Sequence, residues 1–307
     1  MRALAPFAAL IAIGLAWGMT TPLNKIAVEA GHRPFGIMLW QVVIAVAVLT
    51  AILRLRARRG RLLPLAPADL RLYAVVAVLG MVLPQFFSYT AMAHLPAGVV
   101  SIIVSMVPLF TLPLALALRM ERFRPIRLMG LAMGAAAVVL LIAPAASLPG
   151  TAAAGFVLVA MLTPLCYALE GAYVSGTASR AAGPLQVLLG ASLIGVVLVL
   201  PLALATRQVV SPFGPWGQAE AAIAAAGLIS VLAYSGYVAL LRAAGAVFAA
   251  QVAYLVTGSG IVWAMALLGE RYSVWVWAAL ALLFAGLFLV QPRPALPPGG
   301  PAAAREA

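Results

Sequence analysis

Polar side chains recur at helical spacing inside long apolar stretches, and their types suit two tasks: holding a small ligand and carrying a proton. Trp17, Thr20, Thr21 and Asn24 fall on one helical face, with Lys25 beside them. Thr163, Tyr167 and Glu170 repeat that arrangement, with Tyr173 a turn further on. Glu170 is the one acid placed within an apolar stretch and not at its end, and two readings of it stand side by side. It is either a coupling group that takes up and releases a proton, or an acid that reaches toward the interface or pairs with Arg180. Lys25 has the same two readings, coupling group or helix-end cation.

Further stripes complete a candidate ligand site. Gln85, Ser88, Tyr89 and Met92 form one, and Ser101, Ser105 and Pro108 another. Ser230, Tyr234 and Tyr237, then Gln251, Tyr254 and Gly258, come later in the chain, with Gln41 and His94 as outliers. Small residues such as Ser, Thr and Gly also serve helix packing, which covers Gly14 with Gly18 and Gly130 with Gly134. Tyrosines and amides point more directly to a ligand, since an apolar pocket with a few placed polar groups is what a small molecule needs. The set has little charge. It suits a neutral or zwitterionic compound and lacks the basic cluster that a multiply phosphorylated one would require.

The elements that must carry these residues are membrane spans. The chain of 307 residues is 65% hydrophobic and 8% charged, with a mean hydropathy of +1.12, whereas a soluble domain carries about 25% charged residues. A bilayer needs about 20 apolar residues per helical crossing. Ten such spans are predicted, over 5–29, 35–54, 71–93, 97–119, 126–143, 152–175, 183–205, 219–241, 246–268 and 273–291. The apolar blocks are continuous and do not alternate with period two, so the fold class is an all-α polytopic membrane protein and not a barrel. Trp216, Trp275 and Trp277 stand near span ends, where interfacial anchoring accounts for them, and Pro84 and Pro108 are expected to kink their helices.

Orientation follows from the loops. With the N-terminus cytoplasmic, 15 of the 19 lysines and arginines fall in inside joints, and only Lys25, Arg33, Arg207 and Arg271 fall outside. Both termini are therefore expected in the cytoplasm, and the net charge of +12 reports topology and contact with anionic lipid. Nucleic acid is a poor partner for arginines scattered over membrane-adjacent loops. The start, Arg2 to Gly18, resembles a signal peptide but continues through Thr20 and Thr21 without a cleavage site, so it reads as the first span. The lone Cys166 excludes an intramolecular disulfide, and the Pro-, Gly- and Ala-rich stretch 292–307 is expected to be a disordered cytoplasmic tail.

The chain also repeats itself. Ser88 and Tyr89 through Glu121 and Arg122 to Leu141 match Gly236 and Tyr237 through Glu270 and Arg271 to Val290. The tyrosines lie 148 residues apart and the glutamates 149. Residues 1–143 and 144–291 thus form two five-helix repeats. Five is odd, so successive copies enter the membrane from opposite sides and the repeats are inverted.

The motifs carry a resemblance. Glu121, Arg122, Phe123, Arg124 and Pro125, followed by Gly130 and preceded by Pro108, resemble the signature of the EamA domain in the drug/metabolite transporter superfamily. Gly269, Glu270, Arg271, Tyr272 and Ser273, followed by Gly286, resemble it again, although Thr257 replaces the proline and Ala137 and Ala279 replace later glycines. The resemblance implies a secondary transporter of a small-molecule substrate. It suggests export of an amino acid or related compound across a bacterial inner membrane, with protons as the coupling ion; multidrug, nucleoside or other metabolite transport is the alternative. No cofactor or metal is implied. An intramembrane enzyme is the remote alternative: Gly258, Ser259 and Gly260 look superficially like a serine-protease turn with His94 as base, but no catalytic surroundings accompany them. A channel would need a ring of repeated charges or carbonyls, and primary active transport an ATP-binding motif. The sequence has neither.

Overall fold

The computed structural model describes residues 5–56, 62–119, 124–142, 153–176, 182–211 and 213–290. Glu121, Arg122 and Arg180 lie outside these residues, as does the predicted tail. Ten apolar helices run through the described chain: α1 (Ala5–Glu29), α2 (Pro34–Arg56), α3 (Pro67–Met92), α4 (Ala97–Ala117), α5 (Pro125–Ile142), α6 (Ala153–Gly176), α7 (Pro184–Ala205), α8 (Gln218–Ala244), α9 (Val252–Leu268) and α10 (Val274–Val290). The first eight are long and apolar enough to cross a membrane. The last two are shorter, at 17 residues each. The predicted ninth span begins instead as a separate turn, Ala246–Ala249, before α9 proper.

Local chemistry sets the ends. Proline opens α2, α3, α5 and α7, where its missing N–H would have had no helical partner. Glu220 and Gln186 reach back from the first turns of α8 and α7 to the backbone N–H groups of Gly217 and Gly183, each at 2.9 Å. Gly269 ends α9 in the left-handed region, at φ 66°, where glycine carries no steric cost.

Four helices are interrupted or led in by a break. The regular ladder of α1 breaks at Met19, and that of α4 at Ser105 and Met106. A break at Ala250 and Gln251 precedes α9. Within α3 the backbone widens into a π-helical turn over Val78–Val82, with Leu83 N–H bonded back to the carbonyl of Val78. Pro84 follows directly and has no N–H to give to the carbonyl of Gly80, four residues earlier, so the ordinary ladder cannot pass this point.

Close crossings rest on small residues. A Cβ added at Gly130 of α5 would lie 2.6 Å from the Gly286 carbonyl of α10, and one added at Gly286 would lie 2.7 Å from the Gly130 carbonyl. In α1, Gly14 faces Leu255 of α9, and Gly18 faces Ser259, Val256 and Gly260. The helices pack as α5 on α10, α2 on α7, α4 on α9, α1 on α9 and α8, α6 on α4 and α3, α2 on α8, and α7 on α3. Exchanging each helix with the one five places along returns the same set of pairs. Large apolar side chains remain on the outside, such as Val274 and Val197 at 73% and 71% exposure. Such a surface suits lipid and not water.

Gly18→Ala is expected to force α1 off α9, because the new methyl would stand 2.0 Å from Ser259 Oγ and 2.7 Å from the Val256 carbonyl oxygen. Overpacking of this kind costs about 1–3 kcal/mol. Gly258→Ala, with open space around it, is expected to change stability by under about 0.5 kcal/mol. Unfolding of the purified protein in detergent compares the two, and equal stabilities would refute the crossing.

Candidate functional site

The residues singled out by spacing converge where α1, α2, α3, α6 and α8 meet. Asn24, Gln41 and Tyr89 are all buried. The Tyr89 hydroxyl donates to Gln41 Oε1 at 2.7 Å, and Gln41 Nε2 donates to Asn24 Oδ1 at 2.7 Å. This chain of hydrogen bonds ties three helices of the first repeat together, and it satisfies groups that would otherwise be costly in an apolar interior.

Lys25, next to Asn24, is turned to another task. Its ammonium donates to the Met92 carbonyl at 2.6 Å and pairs with Glu29 at 3.2 Å. Met92 is the last residue of α3, so the cation sits against the negative end of that helix. Thr20 turns its hydroxyl to the Trp17 carbonyl at 2.7 Å, bridging the break at Met19. Trp17 itself packs edge-on against Tyr234 and Tyr237 of α8, with ring centroids 6.4 and 6.3 Å away.

Glu170 occupies the notch in α3. An added Cβ on Gly80 would lie 2.7 Å from the Glu170 carboxyl carbon, so the carboxylate rests on bare backbone in the π-helical turn. Two turns earlier on α6 the helix is pinned in register, because Thr163 Oγ1 donates to the Pro84 carbonyl at 3.0 Å. Tyr167 and Tyr234 lie within electrostatic range of Glu170, and Tyr89 within range of Tyr167. Among the described residues Glu170 makes no hydrogen bond or ion pair. A carboxylate held in an apolar span without a partner is expensive, and such groups mark ion and substrate pathways.

Other predicted residues are placed elsewhere. Gln85 lies one turn before Tyr89 on α3, and its buried Oε1 has no hydrogen-bond partner among the described residues. Ser105 bonds to the Ile102 carbonyl at 2.7 Å, at the break in α4. Gln251 is exposed at the start of α9, and Tyr254 packs edge-on against Phe284 of α10 at 5.5 Å. Ser259 donates to the Gly14 carbonyl at 3.0 Å, and His94 stacks on Phe156 at 3.6 Å. Both residues of the imagined hydrolase are thus engaged in packing. Among the described residues no cluster of three His, Cys, Asp or Glu side chains could hold a metal.

Gly80 is the site residue that spacing did not single out. Its signal is a glycine four residues before a proline inside an apolar run, which marks a place where a helix both lacks a bond and lacks a side chain.

Tyr89→Phe removes the donor to Gln41 Oε1 and leaves a buried acceptor without a partner, at a cost of about 1–3 kcal/mol. Tyr89→Phe combined with Gln41→Leu is expected to cost less than the sum of the single changes. A double-mutant cycle by thermal unfolding measures this, and additive effects would refute the coupling.

Comparison with known proteins agrees with this architecture. One solved structure, described as "Crystal structure of protein", superposes with a TM-score of 0.60 over 93% of this chain and 96% of its own, at 18% sequence identity. At that identity the likeness is one of fold. No curated protein matches the chain in sequence. A family model described as EamA-like transporter family matches twice, over residues 5–143 and 155–291. The first match takes in α1 to α5 and the second runs from α6 to α10, and on that basis the chain belongs to the EamA-like transporter family.

Proposed function

We propose that this membrane transporter is a proton-coupled secondary transporter, exporting an amino acid or related neutral or zwitterionic compound across the plasma membrane by alternating access. The observation that carries the reading is the Glu170 carboxylate, lodged against Gly80 without a hydrogen bond or ion pair among the described residues and flanked by Tyr167 and Tyr234. Such a group serves either a proton or the ammonium of a substrate, and it cannot serve both at once. That exclusion is what couples the two movements. Trp17, Tyr234 and Tyr237 supply the aromatic wall, whose faces favour a cationic nitrogen. Tyr89, Gln41, Asn24 and Gln85 supply donors and acceptors for the remainder of the substrate. In this reading Lys25 holds α1 to the end of α3 and Glu170 alone exchanges the proton.

Alternating access rests on the repeats. The two five-helix units are read as inverted copies, a reading the exchange symmetry of the helix pairs supports, and the loop charges support cytoplasmic termini. The site lies between units, since α6 and α8 of the second meet α1, α2 and α3 of the first. A rocking of one unit against the other would open it to each side in turn.

A thermal-shift screen of purified protein against amino acids, nucleosides and cationic drugs selects the probe. In reconstituted vesicles, Glu170→Gln is then expected to reduce pH-gradient-driven flux by about tenfold or more, the size of a typical coupling between two sites. Exchange of labelled for unlabelled probe should persist with saturation. An unchanged pH dependence in Glu170→Gln would remove the acid from the mechanism, and non-saturating flux would indicate a channel.

A further inference from the structure

The turn between α9 and α10 reaches across to the start of α4. Glu270 accepts from the backbone N–H of Ala97 through Oε1 at 2.7 Å and from that of Gly98 through Oε2 at 3.2 Å. The Tyr272 hydroxyl donates to Glu270 Oε2 and itself accepts from Gly98 N–H at 3.1 Å. Burial and the adjacent Glu270 carboxylate hold the Tyr272 phenol above its ordinary range, so it stays a donor. These N–H groups are among those that a helix leaves without partners at its first turn, and a carboxylate there also meets the positive end of the helix dipole. The contact joins the second five-helix unit to the first.

Gly98 makes the contact possible. A Cβ at this position would lie 2.3 Å from the Tyr272 hydroxyl oxygen and 2.5 Å from its ring carbon. Lys25, bonded to the Met92 carbonyl, sets the end of α1 beside the end of α3, so the α1–α2 turn and the α3–α4 turn lie at one end of the bundle. Further bonds between the units gather around the first of these turns. His32 meets Glu220 at 2.9 Å, Phe35 N–H donates to Gln208 Oε1 at 3.0 Å, and Trp40 Nε1 donates to the Val210 carbonyl at 3.0 Å. The one at α4 is charge-assisted and brings three donors, two backbone N–H groups and the Tyr272 hydroxyl, to a single carboxylate.

We propose that Glu270 and Tyr272 form a latch that closes this end of the transport path by holding the start of α4, and that it parts when the path opens there. The hydrogen bonds have the reversibility a gate needs, because Glu270 is only partly buried and water can take over both its carboxylate oxygens and the N–H groups of Ala97 and Gly98. The latch rests on the alternating-access reading above, and its test is independent of any substrate.

The experiment is pulsed electron–electron distance measurement on the full chain in lipid nanodiscs, with Cys166→Ser and spin labels at Ala93→Cys and Val274→Cys, both exposed positions flanking the latch. The parent should give a dominant short distance with any open form at the level of a minor state. Glu270→Ala should raise a second, longer population by about tenfold or more. Tyr272→Phe keeps the carboxylate and should raise it less, which guards against a variant that fails to fold. A lower melting temperature with the parent distance distribution in both variants would overturn the latch and leave a static helix cap. A shifted distribution in a protein that shows no pH-gradient-driven flux of the probe would uphold the latch and overturn only the proton-coupled export reading.

Discussion

Inside a bilayer no water is available to satisfy the backbone, so every peptide group in a span must find its partner within the chain. The apolar helices of the described chain follow from that requirement, and so do their exceptions. Where Pro84 removes a donor, α3 widens into a π-helical turn, and where α1 breaks at Met19, Thr20 turns its hydroxyl inward to the Trp17 carbonyl. The breaks cannot be scattered at random in hydrocarbon. In α1 and α3 they fall beside Trp17, Tyr89 and Glu170, where neighbouring helices cover the disturbed backbone.

Small residues and polar residues divide the packing between them. In the absence of a hydrophobic drive between helices in lipid, close approach and interhelical hydrogen bonds hold a bundle together. Gly130 against Gly286 and Gly18 against Ser259 supply the approach. Tyr89, Gln41 and Asn24 supply the bonds. Ser259 belongs to the same economy: its hydroxyl serves the α1–α9 crossing through the Gly14 carbonyl.

Much of the site was legible because helical spacing determines which side chains share a face. Trp17, Thr20 and Asn24 could be grouped from that rule alone, as could Tyr167 with Glu170 and Tyr234 with Tyr237. Spacing within one helix says nothing about which faces meet. Gln251 and Tyr254 read as equivalents of the other stripes, yet the break before α9 leaves Gln251 exposed and turns Tyr254 toward Phe284. Lys25 and Glu170 looked alike as lone charges in apolar runs, and only their neighbours separate them: Lys25 finds a helix end and Glu29, whereas Glu170 finds a glycine. The Glu-Arg pair that marked the repeat was legible as a motif. What Glu270 does was not, because its partners are N–H groups of Ala97 and Gly98 far away in sequence.

Sequence by itself determined the membrane class, the spans to within a few residues in most cases, the twofold family match and the short list of polar residues. These rest on local quantities: apolar length against bilayer thickness, side-chain period against helix pitch, and the backbone habits of proline and glycine. Tertiary structure decided which of those residues stand together, that Gly80 receives the Glu170 carboxylate, that Lys25 serves a helix end, and that the α9–α10 turn grips α4. Those outcomes depend on contacts between segments far apart in the chain, 173 residues for Ala97 with Glu270, and no local periodicity encodes the partner of an unpaired N–H or a buried charge.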